Sequence, residues 1–136
     1  MLTDWKERLW DYLDSQEDWT FSWSEHSCIA FAAGAVEAMT GEAYWKNELS
    51  DVKHLTKKEC IEYIREYGGN LAGTVEKALK GIAVKREHPG MGDIVVVDLD
   101  GQETTGICWG RYCIFAGYHG LVARKPEKLI SAWKIL

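Results

Sequence analysis

The chain has no basic stripe. Its 16 Lys and Arg stand against 21 Asp and Glu, a net charge of -5, and no run of cations is long enough to track a phosphate backbone, so nucleic acid is not an expected partner. Apolar runs of membrane-spanning length are missing too. The opening Met1-Leu2-Thr3-Asp4-Trp5-Lys6 lacks the cationic and then apolar signature of a secretory leader, so a product soluble in the cytoplasm and without a membrane partner is expected. Cys28, Cys60, Cys108 and Cys113 form no Cys-x-x-Cys pair, which argues against a zinc ribbon or a disulfide-stapled mini-protein and leaves reduced thiols as the expectation, with no metal and no cofactor. Only two prolines and no internal repeat or low-complexity segment punctuate the 136 residues. That length fits one domain over 1–136 built on one core.

Apolar material is plentiful. Hydrophobic residues make up 46% of the chain and aromatics 12%, with seven Trp, which is enough to bury a core and argues against disorder. Trp5, Leu9, Tyr12 and Leu13 recur at helical spacing over 4–13, with Thr3 or Asp4 placed to cap the start. Residues 15–27 have no clean period and read as a loop carrying Trp19 and Trp23. A second helix, over 27–39, is rich in alanine and ends at Thr40-Gly41, and its small side chains allow close neighbours. Capping-box spacing at Thr56-x-x-Glu59 opens a third helix over 56–67, and a short fourth follows over 71–79. The pattern then changes. A β-branched run over 93–98, a turn at Asp100-Gly101, and candidate strands over 104–109, 112–116, 120–123 and 132–135 predict an antiparallel meander. An N-terminal helix and loop (1–20), a helical part (21–80) and a small antiparallel sheet (90–136) together make an α+β chain, with the helices packed on the sheet. Gly110-Arg111 reads as a two-residue hairpin turn, a register that sets Cys108 opposite Cys113.

Cys28 carries the strongest chemical signal. It sits where the aromatic loop gives way to an apolar helix, and a thiol in a first helical turn feels unpaired N–H groups and the positive end of the macrodipole, which favour thiolate. The structural reading of the same residue is burial, because Ile29, Ala30 and Phe31 follow it. His26, two residues earlier, is a weak candidate base. His119 lies in the turn Gly117-Tyr118-His119-Gly120, while His54 and His88 lie in polar surroundings. Asp93 follows Gly92 ahead of the first strand and reads as a turn residue bonding nearby N–H groups. Trp5 and Trp10 lie about 140° apart on the helical wheel at 100° per residue, so one of them faces away from the core. Trp5, Trp10, Trp19, Trp23 and Trp45 are therefore candidate interface residues.

Three segments, Trp23-Ser24-Glu25-His26-Ser27-Cys28, Gly92-Asp93-Ile94-Val95-Val96-Val97 and Thr104-Thr105-Gly106-Ile107-Cys108-Trp109-Gly110, occur in the order in which the NlpC-type cell-wall peptidase superfamily, whose core is shared with papain, carries its motifs. The chain resembles that superfamily from about Phe21 onward. It is most similar to a group of short phage proteins found among tail genes, which also end in a Trp-containing strand like Ala132-Trp133-Lys134-Ile135. The resemblance implies a papain-like NlpC-type fold with Cys28 at the nucleophile position. It puts Thr104 at the catalytic histidine, Ser27 at the aspartate before the nucleophile, and Ala116 or Gly117 at the third polar residue. A threonine cannot take a proton from a thiol at neutral pH.

The resemblance with its base removed implies a degenerate hydrolase, a pseudoenzyme kept as a protein-binding structural component of a viral tail tip or baseplate. Such a chain would be made in the host bacterial cytoplasm, incorporated in the virion tail, and partnered by other tail proteins. Two alternatives stay open. One is a cysteine peptidase or amidase acting on peptidoglycan during bacteriophage entry, and the other is a transient tail assembly factor.

Overall fold

The structure, a computed structural model, describes residues 1–16, 28–42, 57–99, 101–117 and 120–136, with the backbone alone at Cys28, Lys57, Glu59 and Cys60. The described residues form four helices, α1 (Trp5–Ser15), α2 (Cys28–Thr40), α3 (Lys57–Gly68) and α4 (Leu71–Ala78), followed by six strands. The strands are β1 (Ala83–Arg86), β2 (Ile94–Leu99), β3 (Gln102–Trp109), β4 (Tyr112–Gly117), β5 (Gly120–Arg124) and β6 (Leu129–Ile135). They make one antiparallel sheet in the order β1-β6-β2-β3-β4-β5. The α+β expectation holds. β2 to β5 form the expected meander, but the last strand does not continue it. β6 returns across the sheet to lie between β1 and β2, where it buries Ala132, Trp133 and Ile135.

β1 is the one described strand absent from the sequence reading. Only Ala83 of its four residues is even half-buried, so it shows no inside–outside alternation, and it is held by backbone pairing to β6 at the sheet edge. Lys85 and Arg86 give that edge the charge that discourages further strands from adding.

Strand alternation divides the sheet into two faces. Ile94 and Val96 of β2, Ile107 of β3, and Trp133 and Ile135 of β6 join Leu9, Phe31, Val36, Met39, Val75 and Leu79 in the main core, so α1, α2 and α4 cover this face. Val95, Val97, Cys108, Cys113, Phe115 and Ala132 form a second, smaller cluster on the other. Gly106 serves that second cluster, because a Cβ there would collide with the Phe115 ring lying across it.

α2 is apolar almost all round, the pattern of a helix packed on several sides. α1 lies antiparallel along it. A Cβ at Gly34 would run into the Tyr12 ring, so Tyr12 sits directly on the helix, stacks on Phe31 and donates its hydroxyl to the Phe31 carbonyl at 2.8 Å. Burial pushes the Tyr12 hydroxyl well above the ordinary tyrosine value, with Glu37 adding to the shift. At the other end α1 caps α2, whose last turn contains no cation of its own. Arg8 Nε donates to the Ala38 carbonyl at 2.6 Å and the Leu2 N–H to the Met39 carbonyl at 3.1 Å, satisfying two carbonyls that a helix end leaves open. The expected caps of α1 itself are not made: Asp4 occupies the N-cap position without a side-chain hydrogen bond.

Candidate functional site

The direction of α2 over the sheet decides what its first turn can meet. Met39, near the C-terminal end of α2, lies against Gly92, whose N–H donates to the Cys108 carbonyl at 2.7 Å. The C-terminal ends of α2 and β3 therefore coincide. From Met39 back to Cys28 is about 16 Å of helix at 1.5 Å per residue, and about five strand residues cover the same distance. The first turn of α2 thus lies about 16 Å along the helix from that end of β3.

Two neighbouring threonines of β3 stand on opposite faces of the sheet. Thr104 pairs with Val97, a member of the second cluster, and so points away from the helices. Its hydroxyl donates to the Gln102 carbonyl at 3.3 Å. Thr105 pairs with Val96, a member of the main core, and faces the helix layer. It is fully buried, and its hydroxyl has no hydrogen-bond partner among the described residues. The resemblance singles out Thr104, whereas the sheet register makes Thr105 the side chain turned towards the helix layer. Neither offers a base.

Most of the other sequence candidates lie outside the described residues. Cys28 opens α2, as read. Its side chain, and His26, His54, His119, Trp19, Trp23 and Trp45, lie outside the described residues, as do the Cys60 and Glu59 side chains and Thr56. His88 is exposed in the bend between β1 and β2, at the end of the sheet remote from the first turn of α2. Ala116 is buried and apolar, and Gly117 carries no side chain, so neither could orient an imidazole.

Asp93 is a structural carboxylate. It is buried, accepts the Gly90 N–H at 2.8 Å and pairs with Arg86 at 3.1 Å. Burial raises its carboxyl above the ordinary value, with the Gly90 N–H and the Arg86 charge pulling it back only in part. The turn role read from Gly92-Asp93 is the one seen.

Aromatic side chains gather at the opposite end from Cys28. Trp5 is half-buried against Gly92, while Trp10 is 54% exposed and lies on Trp109 with ring centroids 5.7 Å apart. Tyr112, also exposed, is directly across the strands from Trp109. Trp109 and Tyr112 are not among the interface candidates read from the sequence; the hairpin sets them opposite each other, and the packing of α1 on the sheet brings Trp10 onto Trp109. Exposed Glu7 and Asp14, one helical turn to either side of Trp10, make this edge acidic.

A separate cleft of about 500 Å³ lies between α4 and the β1–β6 edge, lined by Glu76, Lys77, Lys80, Lys85 and Trp133 among others. Its lysines are mostly engaged within the chain. Lys77 Nζ donates to the Tyr67 carbonyl at 3.3 Å and sits over the Tyr67 ring, and Lys85 pairs with Glu76 at 3.9 Å. Among the described residues no group of three or more His, Cys, Asp or Glu could hold a metal ion, and no helix is long and apolar enough to cross a membrane.

The described chain is an α+β protein in which an apolar helix opened by a cysteine packs on an antiparallel sheet. It belongs to the DUF6950 family, described as a domain of unknown function, which matches residues 1–135. No curated protein matches it.

Proposed function

We propose that this chain is a protein-binding scaffold, a degenerate papain-like NlpC-type domain serving as a structural component of a phage tail tip or baseplate. The observation that carries the loss of hydrolysis is at β3. Whichever of Thr104 and Thr105 is matched to the family histidine, the side chain is a neutral hydroxyl, and the one facing the helix layer is buried with no hydrogen-bond partner among the described residues. A thiol nucleophile needs a base held in contact by a third group, and Ala116 and Gly117 supply no such group. Support for binding comes from the exposed Trp10–Trp109–Tyr112 edge, since amphipathic aromatics anchor interfaces at low entropic cost. Its acidic flank suits a partner presenting Lys or Arg. The tail setting rests on the sequence resemblance alone.

Purified particles and a cell-wall digestion assay test this reading together. The chain is expected to copurify with finished particles at fixed copy number, and the wild type is expected to digest peptidoglycan no faster than Cys28→Ala. Digestion that disappears in Cys28→Ala would establish the peptidase alternative, with His26 and His119 as the bases to vary next. A chain present in infected cells but missing from particles would mark an assembly factor instead.

A further inference from the structure

We infer that Cys108 and Cys113 form a cross-strand thiol pair placed to close into an intrachain disulfide when a low-molecular-weight disulfide oxidises the protein. The inference is independent of the scaffold reading and of Cys28.

Register and hydrogen bonding carry it together. Cys108 and Cys113 are direct partners across β3 and β4. The Cys108 N–H donates to the Asp93 carbonyl at 2.8 Å, and its carbonyl accepts the Gly92 N–H at 2.7 Å. Both of its backbone groups therefore point towards β2. Towards β4 the pair is consequently of the non-hydrogen-bonded kind, in which Cα atoms stand only about 4.5 Å apart and side chains are closest. That separation falls within the range of about 4.4–6.8 Å that a disulfide spans. Both sulfurs lie on the same face, in the smaller cluster with Phe115, Val95 and Ala132.

The two thiols sit in different hydrogen-bonding surroundings. The Cys108 thiol donates to the Gly110 carbonyl at 3.5 Å. A hydrogen bond from the Cys113 thiol favours the Cys108 thiolate and holds Cys108 below the ordinary thiol value, although burial and the Asp93 charge oppose this. The same hydrogen bond pushes Cys113 up, reinforced by burial. One sulfur of the pair, such as Cys108, attacks first. Its thiolate displaces one thiolate from the small disulfide and forms a mixed disulfide. Cys113 then loses its proton and attacks the Cys108 sulfur, and the second small thiolate leaves. Two protein thiols are oxidised and one small disulfide is reduced to two thiols.

Access comes from the hairpin end. Both cysteines are buried, yet only the Trp109–Tyr112 pair separates them from the exposed Gly110-Arg111 turn. Fraying of that one pair, the least costly opening a hairpin has, uncovers the sulfurs.

Arg111 makes the test direct. Trypsin cuts between the two cysteines, leaving Cys108 in residues 87–111 and Cys113 in residues 112–124. Folded full-length protein is incubated with oxidised glutathione, its remaining thiols are alkylated, and it is digested and weighed with and without reductant. The expected result is a single species joining the two peptides, two hydrogens lighter than their sum, which reductant separates. The joined species is expected to be absent from Cys113→Ala. Recovery of both peptides separately alkylated from the treated wild type would overturn the inference, as would joining of either one to the Cys28 or Cys60 peptide. The wild-type peptide map decides the matter even if the variant does not fold.

Discussion

Thr105 turns a single hydroxyl towards the helix layer. The residue is fully buried and has no hydrogen-bond partner among the described residues, and an unsatisfied buried donor costs about 1–3 kcal/mol. Thr105→Val keeps the shape and removes the polar atom, so stability should rise by about 1 kcal/mol, read as a higher urea midpoint at unchanged slope. A lower midpoint would mean that the hydroxyl is satisfied after all.

Asp93 makes a prediction of the opposite character. Burial raises its carboxyl in the folded state, so between the unfolded and folded values the native protein binds more protons than the unfolded chain. Stability contributed at this site is greatest in acid, and it falls as pH rises from about 3.9 through the raised folded value. Asp93→Asn should flatten that part of the stability–pH curve. An undiminished slope in the variant would assign the dependence to other groups.

Asp93 was legible as a turn residue because an aspartate after glycine and before a β-branched run has few other uses. The partner Arg86 was not legible. It sits on β1, a strand whose exposed Val84, Lys85 and Arg86 show no alternation.

Elements follow the sequence where local chemistry is strong. All four helices and five of the six described strands appear at or near the positions read from periodicity, because apolar spacing and glycine stops act within a few residues of chain. The start of α4 is a case where the signal was present and passed over. Asn70 takes extended backbone and accepts the Gly73 N–H at 2.7 Å. Asn70→Ala removes this cap and should cost about 1 kcal/mol, measurable by thermal or urea unfolding, whereas Asn70→Asp or Asn70→Ser should restore most of it. The return of β6 between β1 and β2 had no local signal. A strand rich in buried residues can pair with either edge of a growing sheet, and only the complete set of strands decides which edge is open.

At the scale of the whole molecule two ends of one sheet differ in character. α2 starts with Cys28 about 16 Å along the helix from Met39, and the aromatic edge lies towards the Met39 end, beside the β3–β4 turn. If that edge docks to another protein, Trp10→Ala should reduce the share of the chain recovered with purified particles by about 30-fold, the size of a 2 kcal/mol interface anchor. The isolated fold should lose the roughly 0.5–1.5 kcal/mol of an aromatic pair together with the apolar area that Trp10 buries, read by urea unfolding. Equal recovery of wild type and Trp10→Ala would remove this edge from the interface.

Composition and spacing settle that this chain folds as α+β, that an apolar helix begins at a cysteine, and that Cys108 meets Cys113 across a tight turn. These are short-range matters, decided by side-chain periodicity and turn geometry within about ten residues. Which threonine faces the helix layer, where β6 inserts, and that Trp10 lies on Trp109 were decided only by assembly of the sheet. Register and strand order depend on contacts between residues far apart in the chain, and no local pattern records them.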